Sequence, residues 1–573
     1  MKKFNLIVLA LVTTFGLITC SSQLGDPVIS TPIPRIEQMP NIPEPFFVID
    51  WGKKAMAFDS LVYNFDNTGP YGPLIWLDNS RRNIDQVTYG LFTVVGDVRQ
   101  GPNRNNGEFH EALTSLNALL SAGLMGIDKT NQHGYNFVKM DQNYFNSDTK
   151  WNIVMNNTTP EVAQLGGGYG HDWWYDVYPN LLFYGVSALF PTVENTESIQ
   201  RSIAEKFFKA DSVLKGNYDY SYFDYAQLKG IRNNIPLQQD AAGGHAYVLI
   251  SAFQKFGDKR YLAGAKSATE ALLDQKESRF YEILLPFGAY TAARLNAEYG
   301  TKYDITKLLN WIFDGCQSKQ GRYSWGVIAE RWGNYDVYGL QGSITDGGGY
   351  AFLMNSVAMA WPLVPMVKYE PQYARTIGKY MLNAVNASRL FYPDGIDEKH
   401  QWLPELKDMT HGIIAYEGLR KADDYKKESL IGIVPVATGD GPKWAPGQPK
   451  SSMFSLYSTS IVGIYGAIVN TTNVEGILSL DCNATDFYGH NNYPVYLYYN
   501  PFSDTRSVNF SSEKRVDLFD ILSKKYLAKN VSTHATIDIP ADNALVVVVL
   551  PAGARLDKYR NKIKANGIVI AYQ

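Results

Sequence analysis

The stretch Gly166-Gly-Gly-Tyr-Gly-His-Asp-Trp-Trp-Tyr-Asp176 runs directly into Val177-Tyr-Pro-Asn-Leu-Leu-Phe-Tyr-Gly-Val-Ser-Ala-Leu-Phe190, an apolar segment of helical length. Loops rich in glycine, acidic or aromatic residues precede further such segments at five places, near Asp240, Glu282, Asp346, His411 and Asp440. Self-similar units stack into one body with a common end face. We therefore expect inner helices whose preceding loops meet over one cleft lined by carboxylates and aromatic rings.

Most of the chain reads as helical hairpins in which an apolar helix is followed by a more amphipathic one. Leu237–Phe256 and Lys259–Leu273 form such a pair around the turn at Gly257-Asp258. Similar helices are expected at Phe109–Leu124, Glu282–Tyr299 with Asp304–Phe313, Tyr350–Tyr369 with Pro371–Leu390, His411–Arg420 and Met453–Val469. A tetratricopeptide-like solenoid would repeat at a fixed period. Because the spacing varies widely, we predict an (α/α)6 toroid over residues 51–470.

After about residue 470 the pattern changes to short strands separated by turn residues. Strands are predicted near residues 476–481, 495–499, 515–520, 535–539 and 544–550. Several alternate between apolar and polar residues, as a half-buried antiparallel sheet requires. The expected fold class is therefore mainly α, a toroid followed by a small antiparallel β-sandwich over residues 471–573.

The first residues predict export. Met1-Lys-Lys and the apolar run Leu6–Ile18 form a secretion signal over residues 1–20, and residues 21–50 form a proline-bearing tether. Leu17-Ile-Thr-Cys20 resembles a bacterial lipobox, with lipidation at Cys20. Threonine before the cysteine departs from the usual small residue, so cleavage without lipid stays open. We expect a protein attached to the cell envelope, on its periplasmic or outer face, through lipid alone.

Composition excludes several classes of protein. The net charge of −3 gives no electrostatic reason to expect nucleic acid as a partner. Cys316 and Cys482 have no zinc-site spacing and are expected to be buried thiols, so no metal or cofactor is predicted. Aromatic residues make up 13% of the chain, which suits either a large core or platforms for sugar rings.

The cleft loops supply the candidate catalytic residues. These are His171, Asp172, Asp240, His245, Glu282, Asp346 and Asp440. Helix capping is the alternative for the acids, and a hydrogen-bonded core position is the alternative for His245. Candidate substrate-binding residues are Trp173, Trp174, Arg331, Trp332, Tyr335, Tyr338, Tyr350 and Trp444.

Two reactions fit these side chains. Glycoside hydrolysis needs one protonated and one ionised carboxyl group beside the scissile bond. A uronate lyase needs a tyrosine or histidine base, for which Tyr338, Tyr350, His171 and His245 are available, with Arg331 for the carboxylate. No serine-hydrolase elbow, phosphate loop, dinucleotide fingerprint or His-Glu-x-x-His motif is present.

The signal, tether, helical region and terminal strands together resemble the exported glycan-degrading enzymes of Bacteroidetes polysaccharide-utilisation systems. The segments Tyr496–Pro501 and Asp517–Asp520 look like the terminal sandwich of (α/α)-barrel glycosidases and heparinase-like lyases. The resemblance implies an oligo- or polysaccharide substrate, and a substrate that contains uronic acid is the expectation drawn from these enzymes. It leads to a glycoside hydrolase as the first hypothesis, a polysaccharide lyase as the second and a non-catalytic glycan-binding lipoprotein as the third.

Overall fold

A computed structural model describes residues 24–69, 71–97, 110–146, 149–160, 172–343, 349–423, 426–439, 450–490 and 492–573. The predicted functional residues Cys20, His171, Asp346, Asp440 and Trp444 lie outside these ranges. Within them, no helix combines the length and the apolar composition needed to cross a lipid bilayer.

The helices of the described ranges are numbered here in chain order. They are α1 Pro34–Glu37, α2 Trp51–Val62, α3 Ala112–Leu124, α4 Phe137–Met140, α5 Trp173–Leu189, α6 Thr196–Leu214, α7 Ala241–Phe256, α8 Lys259–Leu273, α9 Leu284–Tyr299, α10 Ile305–Asp314, α11 Leu353–Ala358, α12 Ala360–Met366, α13 Ala374–Ser388, α14 Lys407–Thr410, α15 Leu456–Thr459 and α16 Gly463–Ile468. The predicted amphipathic helix Lys259–Leu273 is confirmed at both ends.

Six apolar helices form a closed circle of contacts. In chain order α3, α5, α7, α9, α12 and α16 each pack against the next, and α16 packs against α3. The more amphipathic α2, α6, α8, α10 and α13 pack against members of this circle. The first twelve residues of α7 are all buried, whereas α8 alternates between buried and more exposed positions. This difference in burial explains why the inner helices are apolar and the helices packed around them are amphipathic.

The predicted helix His411–Arg420 is wrong. His411 and Gly412 both have positive φ, which is incompatible with a right-handed helix. Gly418–Arg420 is a strand. Gly418 lies so close to the Tyr350 ring and the Ala351 carbonyl that a Cβ would collide with them. Similarly, Met453–Val469 is divided into α15 and α16 rather than being one helix, and Tyr350–Phe352 is a strand that precedes α11.

The strands in the helical region are β1 Ile75–Asp78, β2 Thr88–Leu91, β3 Tyr222–Asp224, β4 Lys229–Ile231, β5 Trp325–Val327, β6 Arg331–Trp332, β7 Tyr335–Asp336, β8 Gln341–Ser343, β9 Tyr350–Phe352, β10 Gly418–Arg420 and β11 Val436–Thr438. Five of them form an antiparallel sheet in the order β11-β10-β9-β8-β5. Sequence reasoning missed this sheet because its strands are short and far apart along the chain.

The C-terminal strands are β12 Val469–Thr471, β13 Leu478–Asp481, β14 Val495–Asn500, β15 Arg506–Ser511, β16 Val516–Asp520, β17 Lys525–Val531, β18 His534–Ile539, β19 Asn543–Pro551, β20 Leu556–Tyr559, β21 Lys562–Ala565 and β22 Ile568–Tyr572. The five predicted strands of this region are present as β13, β14, β16, β18 and β19. Strand structure takes over from helix at Val469, next to the expected boundary.

The β region is built in layers. A six-stranded antiparallel sheet has the order β12-β13-β14-β19-β16-β17, and β15 pairs with β18 in a second layer. In β19, Val546 and Val548 belong to the main core, where α13 packs on the sheet, whereas Val547 belongs to a second core with Val508 and Ile537. Alternate side chains of one strand therefore join the sheet to the helices and to the second layer.

The two cysteines of the described region, Cys316 and Cys482, are buried free thiols, as expected. Cys316 follows α10, and Cys482 follows β13. Burial raises the pKa of the Cys316 thiol to about 11, so it is protonated and unreactive at neutral pH.

Candidate active site

Acidic residues occupy the N-terminal ends of neighbouring inner helices. Glu111, Asp172 and Asp240 are the N-cap residues of α3, α5 and α7, and Glu282 lies two residues before the start of α9. Glu417 reaches the same end of the molecule from the residue before β10. All five are buried. The predicted common end face thus contains acids from several loops, two of which, Glu111 and Glu417, were not among the predicted residues.

Tyr175 shows that four of these acids surround one point. It lies in the first turn of α5 and is less buried than the residues on either side of it. Burial raises the pKa of its hydroxyl group well above 10, and the charges of Glu111, Glu282, Asp172 and Glu417 raise it further. The Tyr175 hydroxyl group therefore lies near carboxyl groups from four different segments, and we use it as the reference point of the acidic cluster.

The pKa values of Asp172 and Glu282 are both raised to about 7. Burial raises the pKa of Asp172 to about 7; the hydrogen bond from Gln238 and the charge of Arg322 lower it, and the charge of Glu282 raises it. Burial also raises the pKa of Glu282 to about 7, against hydrogen bonds from Asn355 and Tyr281 and the charge of Arg322. The two carboxyl groups therefore titrate together near neutral pH. The pair can therefore carry a proton near neutral pH.

Glu417 has different hydrogen-bond partners from Asp172 and Glu282. Its Oε1 accepts hydrogen bonds from the hydroxyl groups of Tyr350, at 3.0 Å, and Tyr457, at 2.7 Å. Donated hydrogen bonds favour the ionised form of a carboxyl group. The Arg420 guanidinium lies 4.3 Å from the centre of the Tyr350 ring, so a cation stands beside this group of side chains. Glu417 is thus arranged as a carboxylate, and Tyr350, predicted to bind substrate, serves to hold it.

Glu111, Asp172 and Asp240 do not act as ordinary helix caps. Glu111, Asp172 and Asp240 occupy N-cap positions, yet none accepts a side-chain capping hydrogen bond from its own helix. Asp240 instead accepts a bond of 3.0 Å from the backbone nitrogen of Tyr281. Burial raises its pKa well above the ordinary value, and the charges of Asp172 and Glu282 add to this. Asp240 therefore lies beside the cluster and binds the segment that carries Glu282.

Glu282 has a strained backbone. Its φ of 57° lies in the left-handed region, which is unfavourable for a residue with a long side chain. The carboxyl oxygen Oε2 accepts a hydrogen bond from Asn355, and the Glu282 carbonyl accepts one of 3.0 Å from Gln341. Such strain persists only where the surroundings hold it, and it is concentrated at functional sites.

His245 belongs to the core. Its Nε2 is 2.7 Å from the Tyr225 hydroxyl, and its Nδ1 is 3.3 Å from the Tyr218 hydroxyl. The Tyr225 oxygen also accepts a bond of 3.2 Å from the indole nitrogen of Trp173. Burial lowers the pKa of His245 to about 3, so the ring is neutral and a poor base. These surroundings fit the alternative that His245 is a hydrogen-bonded core residue, and we assign His245 no catalytic role.

Replacing His245 with phenylalanine is therefore expected to lower the free energy of unfolding by about 1–3 kcal/mol, because buried hydroxyl partners lose their hydrogen bonds. The shape of the pH–activity profile should stay unchanged. Chemical denaturation and activity measurements from pH 5 to pH 9 would check both statements. A shifted limb of the profile would contradict the structural role.

The predicted aromatic residues divide into core and surface positions. Trp173 is fully buried and stacks on Tyr218 and Phe223, so it supports α5 rather than offering a face to a sugar. Trp174 is buried and its ring lies 4.0 Å from that of Tyr175, which places it next to the cluster.

The hairpin β6–β7 carries Arg331, Trp332 and Tyr335. Arg331 forms an ion pair of 2.9 Å with Asp336, whose carboxylate also accepts the backbone nitrogen of Glu44. Trp332 is buried, Tyr335 packs against the His400 ring, and the neighbouring Tyr338 is partly buried. The described contacts of the hairpin run to Glu44, His400 and Lys421 rather than to the five acids, and we place these four residues outside the cluster.

One signal in the sequence could have found Glu111. Gly107-x-x-His110-Glu111 repeats the pattern Gly168-x-x-His171-Asp172, and each pair comes directly before an inner helix. No comparable signal marks Glu417, because it precedes a strand in a segment predicted to be helical. The cations Arg322 and Arg420 and the carboxamide donors to the acids come from distant segments, so spacing along the chain could not reveal them.

No family model matches the sequence, and the comparison with curated proteins returned no match. Among solved structures, a GH127 β-L-arabinofuranosidase from Geobacillus stearothermophilus T6 has a TM-score of 0.35 at 10% identity, over 91% of this chain and 85% of that chain. A second GH127 β-arabinofuranosidase has a TM-score of 0.36 at 10% identity, over 95% and 85%. The glucoamylase of Hormoconis resinae has a TM-score of 0.32 at 10% identity, over 91% and 95%. Similarity at this level establishes neither a family nor a substrate, so the function is argued from the site.

Proposed function

We propose that the protein is a glycoside hydrolase in which Asp172 is the general acid and Glu417 is the base or nucleophile. One observation carries this proposal: two carboxyl groups near Tyr175 have different surroundings, because Asp172 is bound by the neutral carboxamide of Gln238 and Glu417 by two tyrosine hydroxyl groups. Asp172 has a pKa of about 7, whereas Glu417 accepts two tyrosine hydroxyl bonds. Pairs of carboxyl groups whose environments separate their pKa values are the signature of acid and base roles.

In the proposed reaction Asp172 donates its proton to the leaving-group oxygen as the glycosidic bond breaks. Glu417 either removes a proton from the attacking water or attacks the sugar itself, and the two cases differ in stereochemical outcome. Glu282 keeps the Asp172 proton in place through its charge. Tyr175, which is less buried than its neighbours, supplies ring surface at the start of α5 for the sugar, and Trp174 packs beside it.

The lyase hypothesis fits the site less well. A tyrosine base needs a lowered pKa, whereas burial and four carboxylates raise that of Tyr175. His245 is in the core, and the acids around Tyr175 would repel the carboxylate of a uronic acid at the cleaved position. A uronic acid elsewhere in the glycan remains compatible with Arg322 and Arg420.

Purified protein incubated with neutral and uronic-acid-containing plant and host glycans is expected to release reducing sugars without the absorbance near 235 nm that elimination creates. Glu417→Gln should lower kcat/KM on the cleaved glycan by about a thousandfold. Glu405→Gln, an amide change at an exposed carboxyl, is the matched control and should leave activity unchanged. Absorbance at 235 nm would replace the proposal with a lyase, and binding without products would replace it with a glycan-binding protein.

For the architecture, we propose an (α/α)6 toroid that is followed by a β-sandwich. The closed circle of helix contacts and the two β layers support this proposal. For the cellular location, we propose export and attachment to the envelope through a lipid on Cys20. The support is the signal-like sequence of residues 1–20.

A further inference from the structure

Two helix starts in the cluster share one hydrogen-bond arrangement. Gln238 Oε1 accepts the backbone nitrogen of Trp174 at 2.9 Å, and its Nε2 donates to Asp172 Oδ1. Asn156 Oδ1 accepts the backbone nitrogen of Leu113 at 3.1 Å, and its Nδ2 donates to Glu111 Oε1 at 3.0 Å. In both cases one carboxamide joins an N-cap carboxyl group to the backbone nitrogen two residues later.

This arrangement replaces the usual one. An acidic N-cap residue normally accepts a backbone N–H of the first helical turn with its own side chain. Here the carboxamide accepts that N–H, so the carboxyl group is released from capping and can point away from the helix axis. Gln238 and Asn156 are themselves buried, at 1% and 0% exposure, so neither has water as an alternative partner.

The chemical nature of the donor matters. A neutral amide holds a carboxyl group in one orientation, whereas an arginine in its place would form a charge-assisted pair and keep the group ionised. A group that must carry a proton near neutral pH therefore needs a neutral holder. Asn355, in α11, likewise donates a neutral amide hydrogen bond to Glu282 Oε2.

We propose that Gln238 and Asn156 are positioning residues that cap α5 and α3 in place of Asp172 and Glu111 and so hold those carboxyl groups in the cleft. This inference rests on the proposed function, since it assigns the orientation of the proposed acid to Gln238. Because Gln238 belongs to the segment that enters α7, the orientation of Asp172 depends on the packing of two neighbouring inner helices.

The two contacts of Gln238 can be separated by substitution. Gln238→Glu keeps an oxygen for the Trp174 nitrogen but loses the donor to Asp172 and brings a second carboxyl group beside it. We expect a folded protein whose kcat/KM falls by about 10- to 100-fold, as for other residues that orient catalytic groups, with KM little changed. The limb of the pH profile that reports the acid should move upward by about one pH unit.

Gln238→Leu removes both contacts, and Gln239→Leu, at the less buried neighbouring position, is its matched control. The Gln239 backbone carbonyl accepts a bond from Gln275, which the leucine variant retains. Gln239→Leu should match the wild type in kcat/KM and pH profile. The positioning role is overturned if Gln238→Glu matches the wild type in kcat/KM and pH profile. It is also overturned if the activity of Gln238→Glu falls only in proportion to its folded fraction and the pH profile is unchanged.

A double-mutant cycle tests the same contact without any substrate. The effect of Gln238→Glu on the unfolding equilibrium at pH 9 should be about tenfold smaller in the Asp172→Asn background, because two facing carboxylates are then reduced to one. If Gln238→Glu changes the unfolding equilibrium equally in both backgrounds, Gln238 and Asp172 do not interact and the inference is wrong. Since this cycle uses only denaturation, it can succeed even if the protein hydrolyses no glycan, which distinguishes failure of this inference from failure of the proposed function.

Discussion

Replacing Asp172 with asparagine is expected to abolish glycan hydrolysis and, above pH 7, to make the protein more stable than the wild type. The loss of kcat/KM should be about a thousandfold, because general acid catalysis is removed while the fold and the other acids remain. An aryl glycoside of the released sugar with a dinitrophenyl leaving group should be much less affected, since that leaving group needs no proton.

The stability gain follows from the raised pKa. Burial shifts the pKa of Asp172 from 3.8 in the unfolded chain to about 7 in the folded protein. The folded state therefore binds the proton more tightly, and the stability linked to it is complete below pH 3.8 and is lost as pH rises through about 7. At 1.36 kcal/mol per pKa unit the wild-type penalty at high pH is about 4 kcal/mol, which the neutral amide avoids.

Chemical denaturation of wild type and Asp172→Asn at pH 4 and pH 9 would measure this difference. The variant should be the more stable protein at pH 9 and about equal at pH 4. Asp66→Asn, an identical change at an exposed carboxyl group, should show no such pH dependence. A variant that is destabilised at pH 9 would show that the carboxylate is stabilised by the site rather than strained by it.

The second large effect is expected at Asp486, which connects the helices to the loop after β13. Its Oδ2 accepts bonds from Lys368 Nζ at 2.7 Å and the Tyr369 hydroxyl at 2.8 Å, and Oδ1 accepts one from Tyr290. Burial acts to raise the pKa of Asp486, but the charges of Lys368 and Arg294 outweigh it and hold the pKa below its ordinary value. Asp486→Asn should lower the free energy of unfolding by about 3–5 kcal/mol, because it leaves Lys368 buried without its counter-charge.

The matched control is Asp504→Asn, which breaks an exposed ion pair with Arg506 of the same β region and should change stability little. The double variant Asp486→Leu with Lys368→Met should recover much of the loss, because no charge is then left unpaired. Denaturation at pH 7 measures all three proteins. The interpretation fails if Asp486→Asn is no more damaging than Asp504→Asn.

Much of the secondary structure could be predicted from local pattern. Lys259–Leu273 was found because a helix with one solvated face has a period of about 3.6 residues. The strand Asn543–Pro551 was found because an unbroken apolar run between turn residues suits a strand buried on both faces. His411–Arg420 was misassigned because backbone geometry at His411 and Gly412 overrode a pattern that looked helical.

For the site, the sequence nominated acids by their position before inner helices, and Asp172, Asp240 and Glu282 do lie in one cluster. It could not separate an acid that caps a helix from one that faces a cleft, because both precede a helix. That distinction depends on Gln238, which is 66 residues away from Asp172 along the chain. Glu417 was missed for a related reason, since its partners Tyr350 and Tyr457 are 67 and 40 residues away.

The sequence by itself determined where helices and strands form and which loops carry acids, because those properties depend on neighbours within a few residues. Only the tertiary structure decided which acids meet near Tyr175 and which partners each carboxyl group has. Those properties depend on burial and on charges acting through space between distant segments. Six similar loop-to-helix units are a local pattern; the raised pKa of Asp172 and the two tyrosine hydroxyl groups bound to Glu417 are products of the assembled protein.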